Sequence, residues 1–326
     1  MTTARAVRLD AFGGPEKMTV ATVELPPPAA GEVQLRQTAI GFNFIDIYQR
    51  RGVYPIPLPT GLGHEAAGVV EAVGPGVASL RPGDRAAYMN AGLGAYADRR
   101  NVPAERLVPI PAGVSDEEAA AILFKGLTAQ YLLKKTHPVR PGQIVLVHAA
   151  AGGVGQILCR WARGLGATVI GTAGSDEKCA DAREAGCHAA VDYSRENWPE
   201  LFLQAAGGRK ADVVYDSVGK ATFLKSLDCA APFGMVVVFG AASGPAPAIE
   251  PELLNKKGCL FLTRPSVFPH NADPAVFRAN AAELFEAVSA GLVKAQIGAR
   301  FKLDDIAEAH RAAESRATRG ATLIVP

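Results

Sequence analysis

Ala150, Gly152 and Gly155 stand at the spacing Ala-x-Gly-x-x-Gly, a pattern whose chemistry is the holding of a dinucleotide's phosphates. A Cβ at position 152 would keep a pyrophosphate away from the backbone, and one at 155 would push a following helix off its strand. The phosphates would then rest on the unpaired N–H groups of that helix's first turn. A tight strand-to-helix turn without a ligand needs small residues too, so the surrounding elements must decide between the two readings.

Those elements favour the dinucleotide. Before the glycines, Ile144–Val147 is an unbroken aliphatic run that follows the Pro141-Gly142 turn and reads as a buried strand. After them, Ile157, Leu158, Trp161, Ala162 and Leu165 recur at the spacing of one helix face over 156–165. Further strands are predicted at 168–172, 189–191, 212–216, 235–239 and 259–263, with crossover-length segments between. Six strands so connected predict a doubly wound parallel sheet, an α/β fold. The last strand, from Cys259 to Thr263, would be an apolar edge, and such an edge predicts a homodimer that pairs it with its copy.

The first third of the chain is different. From Ala4 to about Pro111, short β-branched runs (18–25, 32–38, 65–73, 84–89, 106–110) are cut by turns such as Gly13-Gly14-Pro15 and Arg81-Pro82-Gly83-Asp84. This predicts an irregular, mainly antiparallel β domain. Ser115-Asp-Glu-Glu118 is a capping box that opens a helix over 119–124, so its carboxylates have a structural use. A second helical run is expected to end near Lys135. After Arg264 come a helix opened by Asp273-Pro274 and stopped at Gly291, a helix over 305–315 and a strand over 322–325. These are too few for a third core, and the tail is expected to complete the first domain. The division read here is 1–125 with 266–326, and 126–265.

Composition narrows the function. The 326 residues carry a formal net charge of +2 with 48% hydrophobic and 20% charged residues, which provides no electrostatic case for nucleic acid or membrane binding. The first dozen residues lack the apolar core of a signal peptide, and no stretch has the roughly 18 apolar residues of a membrane span. Five scattered cysteines, none before Cys159, fit reduced thiols in a cytoplasmic protein. Hydrolase chemistry has no foothold, since no Gly-x-Ser-x-Gly elbow is present.

Taken together the motifs resemble the medium-chain dehydrogenase/reductase family, and within it the zinc-free NADPH:quinone oxidoreductases related to zeta-crystallin. The resemblance is carried by Gly41-Phe-Asn-Phe-Ile-Asp46, Gly63-His-Glu-Ala-Ala-Gly68, Pro82-Gly-Asp84, Phe124-Lys-Gly-Leu-Thr-Ala129, His148–Gly155, Tyr215-Asp-Ser-Val-Gly219, Thr263-Arg-Pro-Ser266 and Glu314-Ser-Arg-Ala-Thr318. It spans essentially the whole chain. It implies a GroES-like catalytic domain joined to a Rossmann domain, with the nicotinamide at the cleft between them.

Zinc relatives hold their catalytic metal with Cys, the His of Gly-His-Glu, and a second Cys. Here those positions fall on Asn43, His64 and the neighbourhood of Ile122 or Leu123, and one imidazole cannot make a site that needs three protein ligands. No metal is expected. His64 is read as a hydrogen-bonded histidine, with a proton-relay role as the alternative. Without a Lewis acid, aldehyde reduction loses the partner of its alkoxide. A quinone instead leaves a phenolate-like oxygen, comparable to tyrosine with its pKa of about 10, and conjugated enones share part of that advantage.

The nicotinamide choice rests on residues downstream of the glycines. NAD enzymes place an acid about 20 residues on, to grip the ribose 2′-OH. Here the second strand ends Gly171-Thr-Ala-Gly-Ser175 with no acid at its tip, and Lys178 follows one helical turn later. Asp176 and Glu177 oppose a 2′-phosphate unless they turn away at the helix start, where acids suit the dipole. NADPH is therefore expected. The resemblance implies 2′-phosphate contacts from Lys178, Tyr193 and Arg316, beside Gly174 and Ser175. It places Asn43 and Thr128 near the nicotinamide, Gly153 and Val154 with Gly152 and Gly155 at the pyrophosphate, and Ser217, Phe239, Gly240 and Arg264 along the cleft. Tyr48 and Tyr54 match positions that hydrogen-bond the developing oxyanion, with Asn43 and Asp46 setting their polar network. Packing at a domain interface is the competing account of the tyrosines. The substrate implied is a quinone. An NADPH-dependent enone reductase is the alternative, and a non-catalytic NADPH-sensing or RNA-binding protein is a more distant one.

Overall fold

The computed structural model describes residues 2–315 and 318–326. In chain order its elements are β1 (Thr2–Leu9), β2 (Met18–Leu25), β3 (Glu32–Gly41), α1 (Phe44–Arg50), β4 (Glu65–Val73), β5 (Arg85–Met89), β6 (Arg99–Pro103), β7 (Leu107–Pro109) and α2 (Asp116–Tyr131). Then follow β8 (Ile144–Val147), α3 (Gly153–Gly164), β9 (Thr168–Ala173), α4 (Asp176–Glu184), β10 (Ala189–Asp192), α5 (Trp198–Ala205), β11 (Ala211–Asp216), α6 (Phe223–Cys229) and β12 (Ala230–Val238). The chain closes with α7 (Pro251–Lys256), β13 (Phe261–Thr263), α8 (Val267–His270), α9 (Pro274–Ser289), β14 (Ile297–Lys302), α10 (Ile306–Glu314) and β15 (Ala321–Val325). The chain divides into two compact units, one of residues 1–127, 270–289 and 295–326, the other of 128–269 and 290–294.

Unit one is the irregular β domain. Its main sheet runs β14-β15-β3-β4-β5-β7, with β6 also on β3, and β1 pairs with β2 apart from it. The pairings are antiparallel except that of β14 with β15. The C-terminal strand β15 lies beside β3, at Leu323↔Gly41 and Ile324↔Ile40, so the tail, too short in elements for a core of its own, joins this unit. The core under the sheet holds Val33, Leu35, Ile40, Tyr88, Tyr96, Val102, Ile306 and Ile324. β6 carries no clear period, with Val102 alone buried, whereas β14 alternates half-buried Ile297, Ala299 and Phe301 with exposed Gly298, Arg300 and Lys302.

The helical runs expected on either side of Lys125 are one helix, α2. Gly126 does not break it, because a Cβ there would lie 2.5 Å from the Leu284 side chain. The glycine lets α9 approach α2, and the gain in packing outweighs its poor helix propensity. The capping box at the helix start forms, with the Glu118 N–H donating to Ser115 Oγ at 3.1 Å and Glu118 Oε2 accepting from the Ser115 N–H at 3.0 Å.

Unit two is the doubly wound sheet, order β10-β9-β8-β11-β12-β13, parallel throughout. The order reverses between β8 and β11, and in such sheets a ligand sits outside the strand C-termini at that reversal. β8 is fully buried, and α3 buries the face read from its period, including Ile157, Leu158, Trp161 and Ala162. The edge strand β13 begins at Phe261 rather than Cys259. Cys259 has φ +54°, a left-handed conformation that cannot continue a ladder.

Candidate active site

In unit two the β8–α3 turn is built from small residues. Ala149 takes φ +50°, the Ala150 N–H donates to Thr172 O at 2.9 Å, and Gly152 caps α3 in extended conformation. A Cβ on Gly155 would stand 2.3 Å from Ala149 O and 2.8 Å from Ala150 Cα, so the helix can seat against the turn only with glycine there. A Cβ on Gly152 would meet Ala149 O alone, at 3.1 Å, which leaves the outer side of the turn open to a ligand. Gly153 and Val154 are half-buried in the first turn of α3, which contains no acid. The donor set fits a pyrophosphate.

Further along the same strand ends, the Tyr193 hydroxyl oxygen lies 3.2 Å from where a Gly174 Cβ would project. Parallel pairing of β9 with β10 sets this up, since Asp192 is opposite Ala173 and the Tyr193 N–H donates to Ala173 O at 2.9 Å. Ser175 caps α4 by accepting from the Lys178 N–H at 3.3 Å. Gly174, Ser175, Lys178 and Tyr193 thus form one patch.

At the far side of the reversal, Gly240 packs on the Ser217 backbone, its Cβ position 2.6 Å from Ser217 O. The Phe239 N–H donates to Asp216 O at 2.8 Å. Asp216 is buried and fixes its loop by accepting from the Val218 and Gly219 N–H groups and the Thr222 hydroxyl. His148 is held between Thr172 Oγ1 at 2.7 Å and Ser226 Oγ at 2.9 Å, and burial lowers its pKa, which makes it a structural imidazole. Thr128 is buried, and Arg264 follows β13 with its charge near Tyr131. Arg316 lies outside the described residues.

In unit one the predicted residues gather at the start of α1. Asn43 is the N-cap: its N–H donates to Asp46 Oδ2 at 2.9 Å, and its Nδ2 donates to Glu65 Oε1 at 2.8 Å. Glu65 also accepts from Lys125 Nζ at 3.0 Å and from the Phe124 N–H at 2.7 Å. Gly41 makes room for that carboxylate, because a Cβ there would come 2.2 Å from Glu65 Oε1. Tyr96 donates to Asp46 Oδ2 at 2.6 Å, while Asp46 Oδ1 has no partner among the described residues. Burial raises the Asp46 pKa to about 7, against the opposing pull of Tyr96 and the Asn43 N–H.

The aromatic pair stands on the same helix and the turn after it. Tyr48 and Tyr54 have ring centroids 5.2 Å apart, with Phe44 at 6.0 Å from Tyr48. The Val53 and Tyr54 N–H groups both donate to Tyr48 O, which holds the turn on the helix end.

The polar residues at the zinc-ligand positions are each engaged with a different partner. Asn43 serves Glu65, and His64 Nε2 lies 2.9 Å from Gln49 Oε1. Burial, aided by the Arg100 charge, lowers His64 to about 4, so it is neutral at pH 7. Ile122 and Leu123 are buried. Among the described residues no three His, Cys, Asp or Glu side chains gather as a metal site. Glu65, Lys125, Tyr96 and Gln49 belong to this centre without having been expected there. Gly63-His-Glu65 and Phe124-Lys125 carried the signal, but charges 60 residues apart declare a partnership only in the fold.

A family model described as the alcohol dehydrogenase GroES-like domain matches residues 29–112, and one described as zinc-binding dehydrogenase matches 153–274. The chain is 45% identical to a quinone oxidoreductase of Pseudomonas aeruginosa, over 99% of this chain and 100% of that one. It is 44% identical to a 2-haloacrylate reductase of a Burkholderia species, with 96% of each covered. The solved quinone oxidoreductase of Escherichia coli, complexed with NADPH, superposes with a TM-score of 0.95 at 42% identity, covering 100% of both chains.

Proposed function

Because this chain belongs to the medium-chain dehydrogenase/reductase family, in its quinone oxidoreductase branch, we propose that it reduces quinones with NADPH and without a metal. The observation that carries this reading is similarity over the whole chain to quinone oxidoreductases, one of them solved with NADPH. The cradle at Gly152 and Gly155, which a Cβ would fill or distort, fits the dinucleotide independently.

NADPH, when bound, supplies a hydride. The chain's own residues bind and orient. Gly152, Gly153, Val154 and Gly155 take the pyrophosphate, and Gly174, Ser175, Lys178 and Tyr193 the 2′-phosphate. Thr128, Ser217, Phe239, Gly240 and Arg264 line the rest of the cofactor's path. Asn43 keeps its amide in place through Glu65 and Lys125. Tyr48 and Tyr54 offer hydroxyls to the oxygen that gains charge, and Asp46 braces the start of the helix that carries Tyr48. Orientation supplies most of the acceleration, since a phenolate-like product oxygen needs no strong acid.

A second reading, reduction of α,β-unsaturated carbonyls, draws support from the 2-haloacrylate reductase relative. Steady-state rates of NADPH oxidation on matched panels of quinones and enones separate the two. Higher kcat/KM on quinones is expected, and enone turnover far above quinone turnover would reverse the order. A binding role without catalysis is tested by the same assay, with a gel shift at physiological salt for RNA.

The working form is read as a homodimer in the cytoplasm. Phe261 and Leu262 on the edge strand are 58% and 38% exposed, and Phe233 beside them is 72% exposed, an apolar edge that a second copy would cover. The cysteines are unbridged, with Cys259 alone exposed, as suits a reducing compartment.

A further inference from the structure

Asp176 is the acid that an NAD-binding chain would use. It stands 21 residues after Gly155, at the first position of α4, where a carboxylate could accept a ribose 2′-OH. The same charge would repel a 2′-phosphate, which carries close to two negative charges at neutral pH. The structure turns this carboxylate toward Arg195: Nη2 meets Oδ1 at 3.0 Å and Oδ2 at 3.1 Å. Arg195 reaches it from the loop after β10, the loop that carries Tyr193. That loop is folded by Asp192 accepting from the Ser194 N–H at 2.8 Å and by the Arg195 N–H on Asp192 O.

The pair joins the two strand ends that frame the Gly174, Ser175, Lys178 and Tyr193 patch. Its side chains are 52% and 81% exposed, so it contributes little to stability. Its effect falls instead on the local charge. Resting on the NADPH reading above, we infer that Arg195 is a specificity-positioning residue: by neutralising Asp176 it lets Lys178 and Tyr193 receive a 2′-phosphate and denies the acid to the 2′-OH of NADH.

The test uses the full-length protein and two probes, adenosine 2′,5′-bisphosphate and 5′-AMP, titrated by calorimetry. At low salt Arg195→Gln should weaken the bisphosphate about 5- to 10-fold without weakening 5′-AMP, and the loss should shrink at high salt. Asp176→Asn should keep bisphosphate affinity or improve it. The double variant should return to within about 2-fold of wild type, because the charge Arg195 masks is gone. The inference is overturned if Arg195→Gln binds the bisphosphate as wild type does, or if the double variant stays as weak as Arg195→Gln. A wild-type protein with no preference for the bisphosphate would instead overturn the NADPH reading itself.

Discussion

Glu65 is the residue on which the centre of unit one depends. Fully buried, it faces Lys125, 7% exposed, at 3.0 Å, and it also holds Asn43 and the Phe124 N–H. Removing one partner of such a pair leaves the other charged and dry, at a cost of about 3–5 kcal/mol. Glu65→Gln should therefore lower the unfolding free energy extrapolated from urea titration by about that amount and weaken quinone reduction further, through Asn43. Asp46 and His64 add opposite pH dependences. Asp46, raised to about 7 from about 3.9 unfolded, contributes fully below about pH 4 and loses its contribution as pH rises through 7. His64, lowered to about 4 from about 6.5, contributes fully above pH 6.5 and loses its contribution as pH falls through 4. Asp46→Asn removes only the first slope. Its stability should rise with pH between about 4.5 and 6.5 more steeply than wild type, by about 1.4 kcal/mol per pH unit, in urea titrations across that range. Tyr48→Phe and Tyr54→Phe should each lower kcat/KM for quinones about tenfold, the worth of one hydrogen bond. Full activity in both would remove them from the site.

At the scale of elements, the β8–α3 turn and the β13 edge make separate claims. Gly155→Ala places a methyl 2.3 Å from a backbone oxygen, an atom that cannot swing aside. NADPH affinity should fall at least tenfold, measured by the cofactor's fluorescence on binding. The edge strand is judged by mass. Leu262→Arg puts a charge on an exposed apolar edge, and light scattering should then read one 34.0 kDa chain where wild type reads two. A wild-type monomer would end the dimer proposal. The turn was legible in sequence because its requirement is local: glycine at 155, an aliphatic strand before it, an apolar helix face after it. Helix α1 was not, since seven residues are too few to display a period.

At the scale of the whole chain, the metal-free reading has a direct check. Dialysis against a strong chelator should leave quinone reduction unchanged, read as kcat before and after. A fall restored by zinc would contradict the metal-free mechanism. NADPH at 100 times its Kd should stabilise the protein by about 2.7 kcal/mol, NADH by less, in thermal unfolding. The sequence by itself determined the α/β class, the six parallel strands, the return of the tail to the first unit and the glycine turn between β8 and α3. Each of these follows from periodicity, from glycine spacing within a few dozen residues or, for the tail, from having too few elements to form a core of its own. Only the tertiary structure decided that Glu65 lies against Lys125, that Tyr96 holds Asp46, that His64 turns to Gln49 and that Arg195 covers Asp176. Each such pairing joins a helix residue to one on a separate strand or loop. Their partners are set by sheet register and helix packing, and a charge's neighbours in space leave no mark on its neighbours in sequence.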